Sequence, residues 1–175
     1  ISSKKPLNTL TDLKGVKIRS ADRLVADVAT ALGATPISVP AQETYQALSS
    51  GVVQATFAGW TLVSTFKLFE QVNNHLESAL GSPPGFIVMN RQSYDKLSPK
   101  SKAAIDQNSG EVYSRAFGEW FQGNATQGRE IVRKMAGQNV YSLPPAELER
   151  WKQATAPVIK GWIDRTPGGD KVVES

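Results

Sequence analysis

Between Asp12 and Trp60 the chain repeats one local pattern, a short apolar run followed by an amphipathic helix, and this repeat restricts the fold more than any other feature. The first run, Val16 to Ile18, ends in Arg19, and Ser20 and Asp22 then offer side-chain oxygens to cap a helix start. Leu24, Val25, Val28, Ala29 and Leu32 share one face at helical spacing, and Gly33 supplies the backbone freedom to stop. A second run, Thr35 to Val39, leads through Pro40 into a short helix with Tyr45, Ala47 and Leu48 as its apolar contacts. Gly51 closes that helix, and Ala55 to Ala58 reads as a third strand. The order is β-α-β-α-β, and connections this short predict a parallel sheet with right-handed crossovers.

In open sheets of that kind a ligand sits outside the carboxyl ends of the strands. Arg19 falls at that edge, beside a helix start whose dipole favours an anion. A guanidinium there can grip a carboxylate through two parallel hydrogen bonds, which an ammonium cannot do with the same planar geometry. On spacing alone, a solvated arginine at a strand end fits better.

The pieces DLKGVKIRS, LGATPISVP, ETYQALSSGVVQA, FKLFEQVNNH and GFIVMNRQSYDKLSPKSKAAI, in that order and spacing, resemble the substrate-binding proteins of tripartite ATP-independent periplasmic (TRAP) transporters, DctP type. The resemblance covers most of the chain. It implies an α/β, periplasmic-binding-protein-like, two-lobed fold that closes around a small organic acid in the periplasm and delivers it to a TRAP membrane permease. It implies that Arg19 is the main carboxylate anchor, with Ser20, Phe57, Ala58 and Trp60 completing the ligand-binding set. Two departures stand out. Val53, Gln54 and Ala55 replace the usual Val-Asp-Gly, and Gly59, Trp60 and Thr61 replace a frequent Pro-Trp-Glu. One branch also carries an asparagine near Ala58 that is missing here. A ligand with an apolar or aromatic body against Phe57 and Trp60 suits these changes, although ordinary packing would also account for both rings.

Family members are much longer and begin with a lobe that the resemblance does not find here. The start, ISSKKPLNTL, lacks both methionine and a continuous apolar segment. The expectation is a piece of a longer protein, with one βαβαβ lobe and the lobe-spanning helices present and the first lobe mostly absent. Residues 1–84 would belong to the second lobe, 85–122 would return to the first, and 123–175 would hold a lobe-spanning helix and the C-terminal helices. Residues Ile1 to Leu10 would be an incoming hinge strand without its natural partner, and such open edges favour self-association.

After Trp60 a helix with Val63, Phe66, Leu68 and Phe69 inward is expected to reach Val72, where Asn73 and Asn74 end it and leave His75 on the surface. Gly81 to Pro84 reads as a loop, Ser82 to Gly85 as a second hinge crossing, and Gly85 to Met89 as a buried strand. A short helix over Asn90 to Leu97 precedes one capped by Ser98 with Pro99 in its first turn. That second helix is expected to run on through Met135, bending at Gly123 or Gly128, with Tyr113, Phe117, Trp120 and Phe121 as core. Gln138 to Leu143 reads as a strand. Leu148, Trp151, Ala154, Val158, Ile159 and Trp162 would line the inner face of a final helix that ends at Gly168 and Gly169 before a polar tail.

The 175 residues, 40% hydrophobic and 21% charged, suffice for a sizeable core. The net charge of +4 comes from single, scattered cations. Only Lys4–Lys5 and Arg133–Lys134 adjoin, so a nucleic-acid partner is not expected. No apolar run approaches a membrane span. There is no cysteine and one histidine. Nucleophile elbow, phosphate loop and dinucleotide fingerprint are all missing, and Glu147 and Glu149 read as solvated charges. No enzyme activity, cofactor or metal is therefore expected. A ligand-sensing domain of a regulator and an enzyme fragment remain as alternatives to a solute-binding subunit.

Overall fold

The computed structural model describes residues 1–78, 80 and 85–169. The loop expected at Gly81 to Pro84, most of the second hinge crossing and the tail from Asp170 lie outside the described residues. The elements are β1 (Ser2–Ser3), α1 (Leu10–Leu13), β2 (Lys17–Ser20), α2 (Arg23–Ala31), β3 (Thr35–Ser38), α3 (Thr44–Ser49), β4 (Ala55–Thr56), α4 (Trp60–Thr65) and β5 (Asn74–Glu77). They continue with α5 (Arg91–Asp95), α6 (Pro99–Gln107), α7 (Gly110–Lys134), β6 (Asn139–Ser142) and α8 (Pro145–Arg165). Single 3₁₀ turns lead into α3 and follow α4.

The expected β-α-β-α-β unit is present as β2 to β4, with β2 pairing in parallel with β3 on one side and β4 on the other. It is part of a six-stranded sheet in the order β3-β2-β4-β1-β5-β6. β1 does not lose its partner: it lies inside the sheet, antiparallel to both β4 and β5. Its buried Ser2 and Ser3 join the two halves, so β4 and β5 point the same way across it. All strands except β1 therefore deliver their carboxyl ends to one edge.

Two apolar clusters form the core. One holds Leu13, Ile18, Ala29, Leu32, Leu76 and the wholly buried Trp151, bringing α1, α2 and α8 together. The other holds Ala47, Leu48, Val53, Val63, Leu68 and Val132, bringing α3, α4 and α7 together. Each fully buried leucine or isoleucine contributes roughly 1.5–3 kcal/mol relative to an exposed one. Leu24, expected on the inner face of α2, is 48% exposed, and Ile159 of α8 is also exposed, because both lie at the margins of their apolar stripes.

Several expected elements are different. The helix after Trp60 stops at Thr65, Lys67 takes a left-handed conformation with φ 50°, and a 3₁₀ turn follows. Asn74 then opens β5 rather than closing a helix. Gly85 to Met89 forms no strand, and Phe86, Ile87 and Val88 are 80%, 72% and 79% exposed. The long helix is broken at Asn108 and Ser109 into α6 and α7, and α7 then continues through Gly123 and Gly128. Its aromatic stripe is not core among the described residues, since Tyr113, Trp120 and Phe121 are largely exposed.

Glu147 is not a solvated charge. It is buried, and its Oε1 accepts from the Leu10 amide at 2.9 Å and from Trp151 Nε1 at 3.2 Å, so the last helix caps the first.

Candidate functional site

Side chains alternate across a strand, so Ile18, which packs in the first cluster, directs its neighbour Arg19 to the opposite face of the sheet. Arg19 is in register with Ile37 of β3 and Thr56 of β4, one residue before the end of β2. It is 5% exposed. Its Nε donates to the Val39 carbonyl at 2.9 Å, and its Nη1 makes a long contact of 3.5 Å with the Phe57 carbonyl. The guanidinium is thus held between the outgoing ends of β3 and β4. Among the described residues Nη2 makes no hydrogen bond and no carboxylate forms an ion pair with Arg19.

Burial pushes the guanidinium below its ordinary pKa, and Asp22 opposes that shift, yet an arginine stays charged in any protein environment. A buried cation without a paired anion is destabilised until one arrives. Asp22 is not that partner, because its side chain caps α2 by accepting from the Val25 amide at 2.9 Å. The helix start expected to welcome a ligand is therefore already occupied.

The other expected residues spread around this centre. Ser20 is buried, but it caps nothing: its Oγ donates to the Ile37 carbonyl at 3.5 Å. Phe57 is half-buried against the first cluster, and its carbonyl faces Arg19. Ala58 and Trp60 are half-buried against the second cluster. The chain therefore brings Arg19 and Phe57 into contact, with Trp60 at the start of α4 a few residues on.

A second polar group on the same edge has no local signature in the sequence. Glu77, the last residue of β5, accepts from Arg129 Nε at 2.6 Å and Nη2 at 2.9 Å, a two-pronged pair reaching across from α7. Its Oε1 also accepts from Trp60 Nε1 at 3.0 Å. Arg129 holds the Glu77 carboxyl below the usual carboxylate range, with Trp60 adding to the effect and burial opposing it. The partners are 52 residues apart, so no spacing rule could find them. The tryptophan retained after β4 was the only hint.

His75 is buried, not on the surface as expected. Gln138 donates from Nε2 to the Phe69 carbonyl at 3.0 Å, so its Oε1 is the atom that meets His75 Nε2 at 2.8 Å. Nε2 therefore carries the proton, and Nδ1 accepts from Ser2 Oγ at 2.9 Å. The ring lies 5.3 Å from that of Trp60.

The profile of bacterial extracellular solute-binding proteins, family 7 (DctP), matches residues 1–165. The ectoine/5-hydroxyectoine-binding periplasmic protein UehA of Ruegeria pomeroyi is 23% identical over 95% of this chain and 49% of its own length. A TRAP solute-binding protein of Rhodoferax ferrireducens, solved with copurified benzoate, is 28% identical with a TM-score of 0.80 over 93% of this chain and 52% of that one. A marine metagenome TRAP solute-binding protein specific for aromatic acids, solved with metahydroxyphenylacetate, is 27% identical with a TM-score of 0.84 over 99% of this chain and 57% of that one. The chain spans about half the length of the curated relatives it matches. A match along nearly the whole chain, joined to a parallel sheet edge that carries a buried arginine, establishes that it belongs to the DctP-type family 7 of bacterial extracellular solute-binding proteins.

Proposed function

We propose that this chain supplies one wall of a cleft that captures a small organic acid outside the cytoplasm, with Arg19 gripping the ligand carboxylate. The observation that carries the reading is the buried guanidinium itself. Two of its nitrogens are tied to strand-end carbonyls and the third makes no hydrogen bond among the described residues, so the fork is aimed but not neutralised. Trp60 offers aromatic surface on the face of the sheet that carries Arg19, which suits a ring-bearing acid, while Phe57 turns its carbonyl to the guanidinium and packs its ring on the first cluster, and Ala58 leaves room where a polar side chain would narrow the site. Ser20 supports the strand end from the opposite face. The benzoate and metahydroxyphenylacetate in the two related structures are ligands of that chemistry. Family membership supports delivery to a TRAP-type permease as the step that follows capture. Residues 1–84 would form most of the lobe that carries Arg19, 85–122 would pack against a first lobe, and α7 and α8 would join the two.

Calorimetry on the full-length protein tests the assignment, with phenylacetate and succinate as ligands. Arg19→Ala is expected to weaken both acids by more than about a hundredfold, because about 3 kcal/mol or more is lost when one partner of a buried charge pair is removed. Arg19→Lys should fall between, keeping charge without the planar fork. Unchanged affinity in Arg19→Ala would overturn the reading.

A further inference from the structure

Thr56 of β4 and His75 of β5 both pair with Ser2, so they lie at one level of the sheet, and Arg19 is in register with Thr56. Glu77 is two residues beyond His75, at the carboxyl edge that also holds the outgoing ends of β2, β3 and β4. Trp60 begins α4 after the β4 turn, and its indole reaches across β1 to Glu77 at 3.0 Å. Arg129 closes on the same carboxylate from α7. The His75 ring lies 5.3 Å from the indole at a tilt of 42°, and Trp60 keeps partial exposure. The backbone beneath it is fixed as well. Ser64 Oγ donates to the Trp60 carbonyl at 2.9 Å, and a Cβ on Gly128 of α7 would come within 2.9 Å of that carbonyl.

The indole N–H and the backbone carbonyl of Trp60 are therefore both held by groups outside the Arg19 centre. Neither Glu77 nor Arg129 was expected in the site from the sequence, and the pair does more than tie two elements together. A simple bridge from β5 to α7 needs only the two charged groups, whereas this carboxylate spends one oxygen on both the guanidinium and the indole.

From this geometry we propose that Glu77 and Arg129 are positioning residues for ligand selectivity: their ion pair holds the Trp60 indole at the cleft edge, so that it packs on the ring of an aromatic acid whose carboxylate Arg19 holds. The inference rests on the carboxylate-binding reading above. Removing the guanidinium frees the Glu77 carboxylate to rotate into water, and the indole loses its fixed acceptor. The ring then samples several rotamers and no longer offers one preformed surface. A small aliphatic diacid, which has no ring to stack, should barely notice.

The test is calorimetry on the full-length protein with phenylacetate and succinate, comparing wild type, Arg129→Met, Arg129→Lys, Glu77→Gln, Trp60→Phe and the Trp60→Phe/Arg129→Met double variant. The indole N–H resonances are followed in parallel, that of Trp60 being assigned by its loss in Trp60→Phe. Arg129→Met should lower the phenylacetate-to-succinate affinity ratio by about tenfold, the scale of one well-placed aromatic contact. It should also shift and broaden the Trp60 indole signal. Arg129→Lys should recover part of the ratio, and Arg129→Met should lower it no further once Trp60 is phenylalanine. If Arg129→Met does not fold, the Arg129→Lys and Glu77→Gln proteins carry the comparison. An unchanged ratio, an equal loss for both acids, or an unmoved indole signal overturns the proposal. Arg19→Ala separates the two ideas: if it weakens both acids while Arg129→Met leaves their ratio intact, only the positioning role falls. If the wild type binds neither acid, or Arg19→Ala weakens neither, the carboxylate reading falls and takes the selectivity role with it.

Discussion

At the scale of single residues, burial decides which polar groups matter. His75 and Arg19 are both almost wholly enclosed, yet they meet opposite chemical demands. His75 has both ring nitrogens satisfied as a neutral imidazole, and burial pushes its pKa below 6.5, with the Gln138 hydrogen bond opposing that shift. The unfolded chain then binds the proton more readily than the folded one, so folding stability is full above pH 6.5 and falls as pH drops towards the lower folded pKa. Urea melts on either side of pH 6.5 should show stability declining on acidification, and His75→Gln should flatten that decline. A pH profile identical to wild type would show that the imidazole titrates freely. The place of Arg19 near the end of a strand was legible from the apolar run before it. His75 was not. Two asparagines beside it look like a turn, and only the distant Ser2 and Gln138 make the site habitable for an imidazole.

At the scale of elements, the sequence shows what alternates with a regular period and hides what is held by polar contacts. β2, β3 and α2 carry clean apolar patterns and lie within a residue or two of their expected bounds, whereas the helix expected from Pro40 begins as a 3₁₀ turn and becomes α-helical only at Thr44. β5 carries Asn74, His75 and Glu77, so nothing in its hydropathy announces a strand buried inside a sheet. Its side chains replace apolar packing with hydrogen bonds, as where Asn74 Nδ2 donates to the Lys4 carbonyl at 3.3 Å. Glycines in α7 divide the same way. Around Gly123 nothing lies within 4 Å of an added Cβ, whereas at Gly128 that atom would meet Ser64 Oγ at 2.6 Å and the Trp60 carbonyl at 2.9 Å. Both positions gain about 1 kcal/mol of helix propensity on going to alanine. At 123 nothing opposes the gain, so Gly123→Ala should stabilise by roughly 0.5–1 kcal/mol. At 128 the overlap is with backbone and with a hydroxyl already tied to Trp60, so Gly128→Ala should be destabilising by about 1–3 kcal/mol. Adding Ser64→Ala should recover only part of that loss, because the carbonyl and the Ser64 Cβ stay in place. Denaturant midpoints of the three variants check the order, and a neutral Gly128→Ala would mean that α4 and α7 are not packed this closely.

At the scale of the whole molecule, the interior is concentrated in the two clusters around the sheet, and residues 85–121 stand apart from them. In that stretch Phe86, Ile87, Val88, Val112 and Trp120 are each more than half exposed, although side chains of this kind are rarely left together in water. An apolar run reports that something should cover it and says nothing about what does, which explains why Gly85 to Met89 reads as a buried strand while the described residues leave it open. Strand edges offer another chain less than the sequence suggests. β1 is internal, and the outer strand β3 carries Pro36, which has no amide hydrogen to offer another chain. The apolar stretch offers another chain more surface to bury. The 175-residue chain alone should therefore bind a hydrophobic dye and associate as concentration rises in sedimentation runs, whereas a protein of the relatives' length should do neither. Replacing Phe86, Val88 and Trp120 together by serine should abolish both behaviours in the short chain without moving its melting midpoint, since none of the three belongs to either cluster. A short chain that stays monomeric and dark with dye would mean that 85–121 folds back on the lobe that carries Arg19, and the division of the chain at residue 85 would be wrong.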